Sequence, residues 1–186
     1  MTALPPLKET FQNSIANAGA SVFHIEDVYP RIDDGRFAVK RMVGDPIEIW
    51  ADIFRDGHDV IAADLIWREE TTSDWSRMPM RHHGNDRWTA TFTPDKVGRY
   101  LYAIEAWTDD FATWRRGTRA KQAAGQDIAL DALEGAALIT RAQPQEKPAA
   151  ALLVKVCETF LQDGNIVPLL GEDVERAMAG SQARDD

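Results

Sequence analysis

The chain has 186 residues, 44% of them apolar, which suits one domain, or one with an appended subdomain, and falls short of the roughly 250 residues that a (β/α)8 barrel requires. A formal net charge of −9 sets its field against phosphate backbones and anionic headgroups, so neither nucleic acid nor a membrane surface is an expected partner.

Residues 1–20 form an N-terminal tail without the basic start and apolar core of a secretion signal, since Lys8, Glu9 and Gln12 interrupt it. Strand patterns follow. Residues 22–28 and 37–43 are the weaker ones. Over residues 46–54, Ile47, Ile49, Ala51 and Ile53 alternate with Glu48, Trp50, Asp52 and Phe54, the period-2 signature of a strand with one buried face. The alternation returns at Ala63, Leu65 and Trp67, at Trp88, Ala90 and Phe92, and at Tyr100, Tyr102, Ile104 and Ala106. Turn signals separate these runs at Asp33-Asp34-Gly35, Gly44-Asp45-Pro46, Asp56-Gly57, Gly84-Asn85-Asp86 and Pro94-Asp95. Residues 21–108 therefore read as an immunoglobulin-like antiparallel β-sandwich.

Near residue 111 the composition breaks: all six tryptophans lie at or before Trp114, and Ala, Leu and Gln dominate afterwards. The spacing predicts a helix from Phe111 towards Ala124 with Gly125 as its stop. A second is capped by Asp127 and ended by Gln143-Pro144, a third covers residues 149–162 before Asp163-Gly164, and a fourth begins near Gly171. Residues 109–186 are thus expected to be a small helical bundle, and the whole a mainly β chain with appended α structure. The longest apolar run, residues 149–154, is far below the roughly 18 residues that span a bilayer. The single cysteine, Cys157, cannot form an internal disulfide, which points to a reducing, cytoplasmic setting.

No catalytic constellation stands out. His82 and His83 are neighbours on a predicted hairpin and so point to opposite faces, and His58 with Asp56 and Asp59 has no recognised ligand spacing, so solvated turn residues are the expected reading and no metal or cofactor is assigned. The carboxylate pairs Asp33-Asp34, Glu69-Glu70 and Asp109-Asp110 lack any setting that would raise a pKa for general-acid work. G-x-S-x-G and P-loop motifs are absent, and Cys157 falls at helical spacing with Leu153 and Leu161 as a packing residue. The tryptophans carry the remaining signal, because an exposed aromatic face stacks on sugar rings while a buried one fills a core. Trp67 and Trp88 have core parity. Trp50 and Trp107 lie on the opposite parity, where cover by another element is favoured over ligand binding. Trp75, in the polar stretch 71–77, is the best lone sugar platform, although folding back on the sandwich is its expected state. The first turn of the Phe111 helix is expected to pack Phe111 and Trp114 on the sandwich end beside Trp107, with Arg115 and Arg116 towards solvent or acidic loops.

Eight segments resemble one family in order and spacing: residues 25–30 (IEDVYP), 34–37 (DGRF), 39–41 (VKR), 51–59 (ADIFRDGHD), 84–88 (GNDRW), 98–100 (GRY), 105–107 (EAW) and 111–116 (FATWRR). The family is the maltose-1-phosphate maltosyltransferases of the α-amylase superfamily, and the resemblance covers residues 21–138. It implies that this segment is the N-terminal β-sandwich with part of an inserted helical subdomain, while the catalytic carboxylates and phosphate-binding residues belong to a barrel further along the parent chain. No family catalytic residue therefore maps onto this sequence. The resemblance also implies a scaffold role with a share in a homodimer interface, to which Trp50 is expected to contribute, and contact with α-glucan through the parent enzyme. The alternative is a free-standing carbohydrate-binding sandwich using Trp75, Trp50 or Trp107.

Overall fold

The computed structural model describes residues 23–144 and 146–179; the tail expected over residues 1–20 lies outside the described residues. Seven strands come first: β1 (Phe23–Tyr29), β2 (Ile47–Arg55), β3 (Ile61–Glu69), β4 (Ser76–Pro79), β5 (Arg81–His82), β6 (Arg87–Phe92) and β7 (Tyr100–Thr108). They form two antiparallel sheets, ordered β1-β2-β6-β5 and β4-β3-β7. The first order is that of the A-B-E-D sheet of an immunoglobulin constant-type sandwich.

The alternating residues explain why the sheets stack. On β2, Ile49, Ala51 and Ile53 are buried; Ala63 and Leu65 of β3 and Trp88 and Phe92 of β6 join them in one core. The register sets Ala51 against Trp88 and Ile49 against Ala90, while Trp67 crosses between the sheets to stack on Phe92 at 5.2 Å. Each large apolar side chain so enclosed contributes about 1.5–3 kcal/mol. At Met80 the chain leaves β4 in one sheet for β5 in the other. That corner is held by the buried Met80 side chain and by its N–H, which donates to Ala63 O at 2.8 Å.

Residues 37–43 do not form the expected strand. Ile32 and Phe37 make an isolated bridge around a 3-10 turn at Asp33–Gly35, and the segment then runs to Gly44 exposed apart from a half-buried Val39. Arg36, Lys40 and Arg41 keep both faces of its alternation in water, so pairing would bury too little to offset ordering.

The helices are α1 (Asp110–Ala123), α2 (Ala129–Arg141), α3 (Lys147–Asp163) and α4 (Glu172–Ala179), with a 3-10 turn at Val167–Leu170 before the last. Local signals set their ends. The Asp109 carboxylate accepts from Ala112 N–H at 2.8 Å and that of Asp127 from Ala129 N–H at 3.0 Å. Gly164 takes a left-handed conformation and donates to Phe160 O at 2.8 Å. Their apolar faces enclose a second core around Phe111, Trp114, Ile139, Phe160, Leu169 and Val174. Among the described residues no helix is long and apolar enough to cross a membrane.

This second core overturns the expected docking of α1. Phe111 and Trp114 point into the helical core, where three other helices offer more apolar surface than the sandwich end does. Trp114 lies across Gly135 of α2, whose missing side chain lets the indole approach the backbone, and its Nε1–H donates to Asp131 O at 2.7 Å. Arg115, expected in solvent, is buried: its Nε–H donates to Leu170 O at 3.0 Å and its Nη1 pairs with Glu175 at 2.7 Å. Arg116 is exposed. The first turn of α1 does meet the sandwich, but through hydrogen bonds. Val60 N–H donates to Thr113 Oγ1, and Asp109 N–H to Val60 O, each at 2.8 Å.

Candidate functional site

The outward residues of the first sheet are Trp50, Asp52 and Phe54 of β2 with their cross-strand neighbours. Trp50 is half-buried and flanked from both sides. Tyr29 of β1 stacks on it at 5.4 Å and 13°, and the Arg87 guanidinium of β6 sits 3.8 Å from the ring centroid. Arg87 in turn clasps Asp52 through two hydrogen bonds, one of them Nη2–H to Oδ2 at 3.1 Å. That clasp holds the Asp52 carboxyl below the usual carboxylate range and raises the guanidinium further. The fold itself therefore occupies the indole of Trp50. Beside it an open depression of about 500 Å³ is lined by Asp27, Tyr29, Arg31, Asp33 and Asp34, with Arg31 and Asp34 paired at 3.0 Å.

On the three-stranded sheet, Trp107 stands at one end opposite Ala62, half-buried. Next come Glu105 opposite Asp64, and Arg77 one step along β4. Arg77 donates from Nη1 to Asp64 Oδ2 at 3.2 Å and from Nη2 to Glu105 Oε2 at 3.1 Å. Burial pushes the Asp64 carboxyl above its ordinary value, and Arg77 opposes that shift. At the other end, Trp75 is 42% exposed. It has not folded under the sandwich. The Arg68 guanidinium lies 5.0 Å from its ring, and Nη1 of Arg68 also donates to Glu70 O at 3.0 Å, Glu69 O at 3.3 Å and Thr72 O.

The three candidate tryptophans are thus not brought together: Trp50 lies on one sheet, and Trp75 and Trp107 at opposite ends of the other. Among the remaining candidates, His82 meets the Trp88 ring at 4.9 Å, while His83 Nε2 meets Thr89 Oγ1 at 2.8 Å. Among the described residues no group of three His, Cys, Asp or Glu is placed to hold a metal ion. Asp109 caps α1, Glu70 pairs with Arg99 at 3.5 Å, and Cys157 Sγ packs 3.8 Å from Ala136 O. Sequence reasoning missed Arg68 and Arg87, the two arginines that fix Trp75 and Trp50. The Arg87 partnership runs across two strands and the Arg68 one across the turn before β4, so neither shows in one strand's alternation.

Two facing antiparallel sheets with an appended helical bundle define a mainly β domain whose charged groups serve chiefly to hold strands and helices in place. The family model for domain N/S of α-1,4-glucan:maltose-1-phosphate maltosyltransferase matches residues 21–186, and the chain belongs to that family. It is 39% identical over 161 residues to the maltosyltransferase of that name from Chlorobaculum tepidum, covering 84% of this chain and 24% of the relative. It is 47% identical over 133 residues to the one from Myxococcus xanthus, covering 69% of this chain and 20% of the relative. The relative from Rhodospirillum rubrum is 43% identical over 125 residues, covering 62% and 18%. The chain therefore spans a quarter or less of the length of these relatives.

Proposed function

We propose that this segment is the non-catalytic N-terminal scaffold and dimerisation region of a cytoplasmic maltosyltransferase that elongates α-1,4-glucan from maltose 1-phosphate. The observation that carries this reading is an exposed apolar face on the helical bundle. Leu133 of α2 is 58% exposed and Leu161 of α3 is 75% exposed, and Leu130 and Val154 are also open to water. Cys157 lies against Ala136 and Thr140, and Leu133 and Leu161 each stand about one helical turn from that contact on α2 and α3. Leucines grouped on neighbouring helices are the usual mark of an interface, and a second copy of the chain is the occupant a homodimer requires.

Sedimentation equilibrium tests the proposal. The chain is expected to dimerise, and Leu133→Asp with Leu161→Asp to yield folded monomers; a wild-type chain that stays monomeric refutes it. Phosphate release from maltose 1-phosphate with a glucan acceptor is expected to stay at the buffer rate, and turnover by the pure chain would overturn the non-catalytic assignment.

A further inference from the structure

We infer that the end of the sandwich remote from the helices is a docking face for the remainder of the parent polypeptide, with Phe37 and Met42 among its apolar contacts and Lys40 and Arg41 as its charged ones. The occupant rests on the maltosyltransferase reading above; the face itself rests on geometry.

Three connections leave the sandwich at that end. β1 returns to β2 through residues 30–46, β3 to β4 through residues 70–75, and β6 to β7 through residues 93–99. The register brings their roots together, because Ile47 faces Phe92 and Glu69 faces Tyr100. Hydrogen bonds then tie them down. Gly44 N–H donates to Pro94 O at 3.0 Å, Glu70 N–H to Arg99 O at 2.8 Å, and the Tyr102 hydroxyl of β7 to Pro30 O at 2.8 Å. β7 finishes at Thr108, at the opposite end, and α1 follows there.

Among the described residues the sandwich exposes eight large apolar side chains, and six of them lie on these three connections: Ile32, Phe37, Met42, Val43, Trp75 and Val97. Met42 is 72% exposed and Val97 is 91% exposed. The bridge between Ile32 and Phe37 sets those two side by side. Apolar groups gathered at one end of a domain mark an interaction surface, and connections already tied to one another lose little freedom when they dock.

Charge and length select the occupant. The three connections carry six basic and six acidic residues, whereas the whole chain has a net charge of −9. The face therefore has no net attraction for a polyanion and suits another protein surface. Arg31, Arg36 and Arg99 pair with Asp34, Asp33 and Glu70. Among the described residues Arg41 reaches only Lys40 O and the Tyr29 hydroxyl, and Lys40 enters no ion pair. An apolar protein face with a carboxylate beside it is complementary to this arrangement. The chain spans a quarter or less of its relatives, so most of such a polypeptide lies outside it. A tethered neighbour docks intramolecularly, and faces of mixed polarity are usual between domains of one chain.

The test is hydroxyl-radical footprinting of Met42, read by mass spectrometry, in the 186-residue chain and in the full-length enzyme of which it is a segment. Met42 is expected to be oxidised at least about fivefold more slowly in the full-length enzyme. Phe37→Asp there should return Met42 to the rate seen in the segment, while the same substitution in the segment leaves its melting temperature within about 2 °C of the wild type. Equal oxidation of Met42 in the two proteins overturns the interface. Protection already present in the segment overturns the occupant: if it grows with concentration a second copy covers the face, and if deleting residues 1–20 removes it that tail does. A dimeric enzyme with Met42 open refutes only this interface, and a monomeric one with Met42 covered refutes only dimerisation. A gene that encodes nothing beyond these 186 residues refutes the scaffold reading and removes this occupant with it.

Discussion

Two helix glycines make opposite predictions for the same substitution. At Gly135 in α2 an added Cβ would stand 2.0 Å from Cζ2 of Trp114 and 2.4 Å from its Cη2. Carbon atoms rest at about 3.5–4.0 Å, so the indole must retreat by roughly 1.5 Å. It is poorly placed to do so, because its Nε1–H is bonded to Asp131 O and its ring is tilted against Phe111 at 5.3 Å. Overpacking costs about 1–3 kcal/mol and the strained hydrogen bond about 1 kcal/mol more. Replacing a helical glycine by alanine returns about 1 kcal/mol. Gly135→Ala should therefore destabilise the chain by about 2 kcal/mol. Gly117 of α1 is exposed, with nothing within 4 Å of its Cβ position, so Gly117→Ala should stabilise by about 1 kcal/mol. Urea unfolding followed by far-ultraviolet circular dichroism measures both. The packing argument is refuted if Gly135→Ala is as stable as the wild type, or if both variants shift in the same direction.

Arg115→Ala should cost about 2 kcal/mol through loss of its charge-assisted bonds to Leu170 O and Glu175, whereas Arg116→Ala should stay within about 0.5 kcal/mol; equal effects in thermal unfolding would mean that the burial of Arg115 is without consequence. The Asp52 carboxyl is held below its ordinary value of 3.8 by the Arg87 clasp, so as pH falls the unfolded chain takes up that proton first. The stabilisation is complete above the unfolded value and disappears as pH falls through the folded one. Asp52→Asn should thus show a shallower loss of stability with acid, and superimposable pH profiles for the two proteins would exclude the linkage.

Side-chain parity along a strand is a local property, and the sequence alone therefore determines that Ile49, Leu65 and Trp88 face inward while Trp50 and Trp107 lie on the opposite parity. Helix ends are local too: Asp109, Asp127 and Gly164 act on backbone groups a few residues away, and α1 to α4 stand where their caps and stops predict. The family is likewise written in short ordered segments that need no fold to be recognised. Parity, however, names a face and not its neighbour. That Arg87 covers Trp50 and Arg68 lies over Trp75 follows from contacts between residues 37 and 7 positions apart, the first across two strands and the second across the turn before β4. That Met80 carries the chain between sheets depends on two sheets closing over one core, which no single window of residues encodes. The burial of Arg115, and of Phe111 and Trp114 among helices rather than on the sandwich, was decided by the larger apolar surface offered by α2, α3 and α4. That surface exists only once the helices have assembled.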